Sequence, residues 1–105
     1  MIKAVFQKQN GKFCSCSIKG HADYADMGQD IICASVSSAV QLTANLITES
    51  FHEQADISAK NNIIKICLKQ VQTGNGAVIL DGLFVHLQCI SEEYPDNIKI
   101  QVSEV

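Results

Sequence analysis

Two long segments with helical hydrophobic spacing separate shorter segments in which apolar and polar residues alternate. The first covers residues 31–51, contains neither Gly nor Pro, and repeats apolar residues at intervals of three and four. The second covers residues 76–93 and is stopped by Pro95. This spacing collects apolar side chains on one helix face, and proline cannot continue a helix. The sequence therefore predicts two helices that each bury one face.

Five shorter segments alternate apolar and polar residues, as strands with one buried face do. They cover residues 2–7, 14–18, 55–59, 62–69 and 98–103. Asn10 and Gly11 supply a tight hairpin turn between the first two strands, and residues 60–62 join the third and fourth. The predicted order is ββαββαβ. One-sided strands and helices pair as two layers, so we expect an α+β fold with both helices on one face of the sheet.

Length and charge exclude several classes of protein. The 105 residues suit a single domain, 1–105, and the net charge of −3 comes with only eight scattered basic residues. Direct binding of nucleic acid is therefore not expected. The N-terminal residues lack the pattern of a secretory signal, and no apolar run approaches the length needed to cross a membrane, which predicts a cytoplasmic protein without a membrane partner. Five cysteines on predicted strands and helices do not suggest a disulfide framework.

The predicted loop at residues 20–30 and the start of the first helix hold the residues that suggest chemistry. If Asp30 is the N-cap, Cys33 is the third residue of the helix, where free amides and the helix dipole stabilise a thiolate. His21, in the loop, is a candidate general base for such a nucleophile. Amides at the helix start are candidates to bind the oxyanion of the reaction intermediate.

The residues around this pair resemble the bacterial ribosomal-processing cysteine protease family, called Prp. The resemblance is carried by Gly20-His21-Ala22, by Gly28-Gln29-Asp30, and by residues 31–37, which read Ile-Ile-Cys-Ala-Ser-Val-Ser. It implies that His21 and Cys33 are the catalytic dyad and that Gly20, Asp30 and Ser37 support catalysis or bind substrate. It also implies removal of the N-terminal extension of a large-subunit ribosomal protein, needed for ribosome assembly, with cleavage after an aromatic pair. No cofactor is implied.

The resemblance further implies a homodimer, and Val85 is an apolar position on the second helix beyond its core stripe. The homodimer and the ribosomal-protein segment are thus the expected partners.

Several interpretations stay open beside the protease. Asp30 either only caps the helix or also orients His21, and Ser37 either bonds a backbone carbonyl or contacts substrate. Cys14 and Cys16, expected on one strand face, suggest with His21 a metal-binding regulator, but no CxxC or His pair accompanies them, so no metal is predicted. The chain could instead be a non-catalytic, ribosome-associated binding module. His52 and His86 are interpreted as surface residues.

Overall fold

The structure, a computed structural model, describes residues 1–20 and 27–105, with the backbone alone for residues 27–30. Its elements, in chain order, are β1 (Ile2–Gln9), β2 (Lys12–Lys19), α1 (Met27–Asn45), a π-helical turn (Leu46–Ser50), β3 (Ala55–Lys60), β4 (Ile63–Leu68), α2 (Gly76–Glu93) and β5 (Ile98–Glu104). The predicted order of strands and helices is confirmed, and α2 has the predicted bounds.

The five strands form one mixed sheet in the order β3-β4-β2-β1-β5. The parallel pair is β1 with β5, where Ile2 lies opposite Ile98, and the other pairs are antiparallel. Both hairpin turns have positive φ at two successive residues: Asn10 and Gly11 between β1 and β2, and Asn61 and Asn62 between β3 and β4. Asn and Gly tolerate this backbone region best, which explains why the two turns fall where the sequence predicts them.

The core lies between the sheet and the two helices. Alternate residues of β1 (Ile2, Ala4 and Phe6) are buried against α1 and α2. Phe6, Phe13 and Phe84 pack with ring centroids 5.1 to 5.5 Å apart and join β1 and β2 to α2. The predicted two-layer α+β architecture, with both helices on one face, is confirmed.

A bulge in the β1–β2 pair changes which cysteine faces the core. Gln7 pairs with Ser15 but Lys8 pairs with Phe13, so Cys14 is the extra residue. Phe13 and Cys16 are buried, whereas the Cys14 thiol is half-buried and donates a hydrogen bond to the Gln7 carbonyl at 3.3 Å. The expectation that Cys14 and Cys16 share a strand face is therefore wrong.

The first helix begins earlier than the sequence predicts. α1 starts at Met27, so Asp30 lies inside it and is not its N-cap. Gly28 favoured a loop at this position, but glycine costs a helix only about 1 kcal/mol relative to alanine, which tertiary packing can offset. At its other end α1 passes into the π-helical turn, which ends at Ser50.

Within the part of the chain that the structure describes, Ile31–Ser50 is long and apolar enough to cross a membrane by length and composition, with a mean hydropathy of 1.5. This corrects the expectation that no segment approaches that length. Val36, Val40 and Ile47 of this stretch are almost completely buried and belong to the core cluster that includes the sheet residues. The same composition therefore suits a helix that packs against the sheet on one side.

Candidate active site

Cys33 lies beside a cavity of about 180 Å³ at the end of the sheet where β2 leaves it. Its thiol is half-buried and packs against the hydrophobic core. The described residues that line the cavity combine apolar side chains with a few polar ones. They are Ile2, Ile18, Gly20, Cys33, Val36, Ser37, Val40, Asn62 and Ile64. A thiol in this position faces a space that can admit an apolar side chain.

The helix places Cys33 differently from the sequence prediction. Counting from Met27, Cys33 is the seventh residue of α1 rather than the third. Only the first four amides of an α-helix lack a partner within the helix. The free amides and the N-terminal dipole of α1 therefore do not adjoin Cys33 along the chain, and they no longer support thiolate stabilisation or oxyanion binding.

Gly20 lies on the same cavity and holds a backbone conformation that side chains disfavour. Its φ is +103°, and its amide donates a hydrogen bond to the Asn62 carbonyl at 3.3 Å. A Cβ atom at this position would lie 2.5 Å from the Met1 carbonyl oxygen. Both the turn and the close backbone approach require glycine at this position.

Ser37 is one helical turn after Cys33, is exposed, and lines the same cavity. The structure thus brings together Gly20, Cys33 and Ser37. His21 lies outside the described residues, as does the side chain of Asp30, so their predicted roles stay predictions.

Sequence reasoning missed Asn62 and Ile64 as cavity residues. They come from the β3–β4 hairpin, and only the pairing of β4 with β2, in which Ile18 lies opposite Ile64, brings them near Cys33. The Asn61-Asn62 pair was a visible sign of the turn. Nothing local in the sequence shows which strand the hairpin joins.

Three of the other cysteines, Cys16, Cys67 and Cys89, differ from Cys33 in exposure. Burial raises the pKa of the Cys16 thiol to about 12, a hydrogen bond with the Ile66 backbone opposes this shift, and nearby Cys67 adds to it. Cys67 and Cys89 are exposed.

Residues 1–20 and 27–105 contain no group of three potential metal ligands. His52 and His86 are exposed, as predicted.

Comparison with known proteins decides the family. The family model for cysteine protease Prp matches residues 1–99. The chain belongs to the Prp family of cysteine proteases. The ribosomal processing cysteine protease Prp of Staphylococcus aureus is 35% identical over 92 residues, which cover 86% of this chain and 87% of the relative. Its counterpart from Bacillus subtilis is 26% identical over 107 residues, covering 95% and 96%.

The fold comparison agrees with the family assignment. A crystal structure of Staphylococcus aureus Prp with a substrate peptide matches with a TM-score of 0.89 and 28% identity, covering 97% of this chain and 99% of that one. A second structure of that protein, with a covalently linked product peptide, matches with a TM-score of 0.87 and 30% identity over the same shares. The predicted family is confirmed, and Prp membership makes this chain a cysteine protease.

Proposed function

We propose that this Prp-family protein is a cytoplasmic endopeptidase that removes the N-terminal extension of a large-subunit ribosomal protein before ribosome assembly. The observation that carries the proposal is the half-buried Cys33 thiol on a cavity shared with Gly20 and Ser37. Relatives of the same fold are named for ribosomal processing, and one has been crystallised with a substrate peptide.

The proposed chemistry uses Cys33 and His21 as a dyad. The Cys33 sulfur attacks the scissile carbonyl carbon while the His21 imidazole accepts the thiol proton. The tetrahedral intermediate then breaks its C–N bond, and the proton passes from His21 to the departing amine. Water hydrolyses the resulting thioester, releasing the N-terminal fragment and restoring the thiol.

Three further residues have proposed supporting roles. Gly20 sets the direction of the chain immediately before His21. The exposed Ser37 hydroxyl can hydrogen-bond a peptide backbone in the cavity that it lines. Because Asp30 is not the N-cap of α1, we propose that its carboxylate orients His21.

The cavity suits the apolar side of the proposed cleavage site. Five of the nine described residues that line it are aliphatic: Ile2, Ile18, Val36, Val40 and Ile64. Four of these belong to the buried core and Ile64 is half-buried, so the walls are fixed by packing. Binding of an aromatic side chain of the substrate here would remove its apolar surface from water, which is worth about 25 cal/mol per Å² of buried area.

The proposed homodimer would use the outer face of the helix layer. Leu42 on α1 and Val78 and Val85 on α2 are 61%, 72% and 49% exposed. Between the helices lies a groove of about 480 Å³ lined mainly by apolar residues, with Leu42, Ile79 and Leu83 among them. A second copy would cover this surface.

Peptide cleavage followed by mass spectrometry tests the proposed function. The substrate is the N-terminal extension of the organism's own ribosomal protein with its first mature residues. Wild-type protein should cut after the aromatic pair, and Cys33→Ala and His21→Ala should each lose at least about 10³-fold in kcat. Cys89→Ala removes an exposed cysteine from α2 and is the matched control, expected to cut at the wild-type rate.

The binding-module alternative predicts different results. Such a protein would bind the peptide without cutting it, and Cys33 would react with iodoacetamide no faster than the exposed Cys67. Cutting that survives Cys33→Ala would also overturn the proposed dyad.

A further inference from the structure

The turn between β3 and β4 contacts the cavity that holds Cys33, although it lies about thirty residues further along the chain. Asn61 and Asn62 have φ values of +55° and +61°. Two successive positive φ angles are the signature of the tight hairpin turn that matches the twist of its strands. The backbone of this turn therefore keeps its conformation only if both residues tolerate the left-handed region.

The Asn62 carbonyl accepts the hydrogen bond from the Gly20 amide. This bond continues the antiparallel β2–β4 pairing by one step, because Lys19 lies opposite Ile63 in the last regular pair. On its other side, Gly20 lies so close to the Met1 carbonyl oxygen that no Cβ atom fits. The last described position before His21 is thus fixed from two sides.

We propose that the Asn61–Asn62 turn is a positioning element of the active site, acting through the Asn62 carbonyl on Gly20. This proposal rests on the proposed Cys33–His21 dyad. Because His21 follows Gly20 directly in the sequence, a shift of Gly20 also moves the backbone that carries the His21 imidazole. Displacements of about 1 Å in catalytic geometry can reduce rates by about a hundredfold.

Substitutions at Asn62 distinguish the role of its backbone carbonyl from that of its side chain. A β-branched residue is strongly disfavoured at positive φ, so Asn62→Val should displace the turn and the carbonyl. Glycine tolerates the same φ, so Asn62→Gly should keep the carbonyl in place while removing the side chain. Asn62→Ala is an intermediate change that retains a Cβ atom without branching.

The β1–β2 turn offers a matched control. Asn10 has a φ of +52° in a turn of the same kind, and its side chain is exposed. Asn10 is not among the residues that line the Cys33 cavity. Asn10→Val therefore introduces the same backbone conflict without acting on Gly20.

The experiment measures kcat and KM for peptide cleavage, the rate of Cys33 alkylation by iodoacetamide from pH 6 to 9, and thermal unfolding of each variant. We expect Asn62→Val to lower kcat at least tenfold, Asn62→Ala to lower it less, and Asn62→Gly to lower it least of the three. The pH dependence of kcat and of alkylation should change in Asn62→Val and not in Asn10→Val, with similar shifts in melting temperature.

Each contrary result has a distinct meaning. If Asn62→Gly loses as much activity as Asn62→Val, the side chain contacts substrate and the backbone proposal is wrong. If Asn62→Val, or Asn62→Ala where the valine variant does not fold, keeps the wild-type kcat and pH profile, the turn does not position the site. A wild-type protein that does not cut the peptide would instead refute the proposed function.

Discussion

At the scale of single residues, Gly20 and Cys16 show how the backbone and burial decide what a position tolerates. Gly20 combines a φ of +103° with contact to the Met1 carbonyl, whereas Gly11 combines a φ of +80° with open space around the missing Cβ atom. The two glycines therefore separate conformational strain from steric conflict. Cys16 is 2% exposed, and its burial in the core raises the pKa of its thiol.

We expect Gly20→Ala to lower the free energy of unfolding by about 3 kcal/mol, because strain at positive φ and a backbone clash act together. Gly11→Ala should cost about 1 kcal/mol, since strain acts alone. Urea unfolding of both variants measures the difference. Equal losses would mean that the chain around Met1 moves aside without cost.

Burial of Cys16 predicts a loss of stability in alkali. Its pKa rises from 9.0 to about 12 in the folded protein, chiefly through desolvation. Between these values the folded state retains a proton that the unfolded state has released, so stability is fully present below pH 9 and falls as pH rises towards 12. The effect is at most ~4 kcal/mol, since one pKa unit corresponds to ~1.4 kcal/mol.

Unfolding of wild type, Cys16→Ala and Cys89→Ala from pH 8 to 11 measures this effect. Cys16→Ala should flatten the decline above pH 9, even though the cavity it leaves lowers stability at every pH. Cys89→Ala changes an exposed thiol on α2 and should keep the wild-type slope. Parallel curves for all three proteins would contradict the assignment to Cys16.

The site residues were predictable from sequence only where the pattern was local. Gly20, Cys33 and Ser37 fall within one short motif, and the structure brings them to one cavity. Asn62 and Ile64 could not be found this way, because their approach depends on pairing between strands distant in sequence.

At the scale of elements, hydrophobic spacing predicted both hairpins and both helices. The predicted bounds of α2 match the observed ones, because a regular apolar stripe marks the helix and Pro95 stops it. Hydrophobic spacing failed where packing overrides local preference. Gly28 lies inside α1 despite its low helix propensity, and the β1–β2 bulge exchanges Cys14 for Phe13 in the core.

Two glycines of α2 should respond oppositely to substitution. A Cβ atom on Gly82 meets nothing within 4 Å, so Gly82→Ala should stabilise the protein by about 0.5–1 kcal/mol through reduced chain entropy. A Cβ atom on Gly76 would lie 2.8 Å from the Leu68 side chain, so Gly76→Ala should destabilise it. Chemical unfolding at one protein concentration compares them. Loss of stability in Gly82→Ala would show that the groove face is covered.

At the scale of the whole molecule, one face of the sheet carries the helices while the helix layer keeps an apolar outer surface. The sequence predicted the two layers but not the strand order, because the parallel pairing of β5 with β1 joins the two ends of the chain. Local alternation cannot reveal such a pairing.

The proposed homodimer predicts that a charge at Val85 separates the subunits. Burying an unpaired carboxylate in an apolar contact is unfavourable, so Val85→Asp should weaken dimerisation at least tenfold in sedimentation velocity at micromolar concentration. Val102→Asp is the matched control, because Val102 on β5 is 45% exposed against 49% for Val85 and lies away from the helix groove. A wild-type protein that sediments only as a monomer would refute the proposed homodimer. A Val85→Asp dimer as tight as wild type would place the interface elsewhere, because an unpaired carboxylate buried in the contact would lower its affinity.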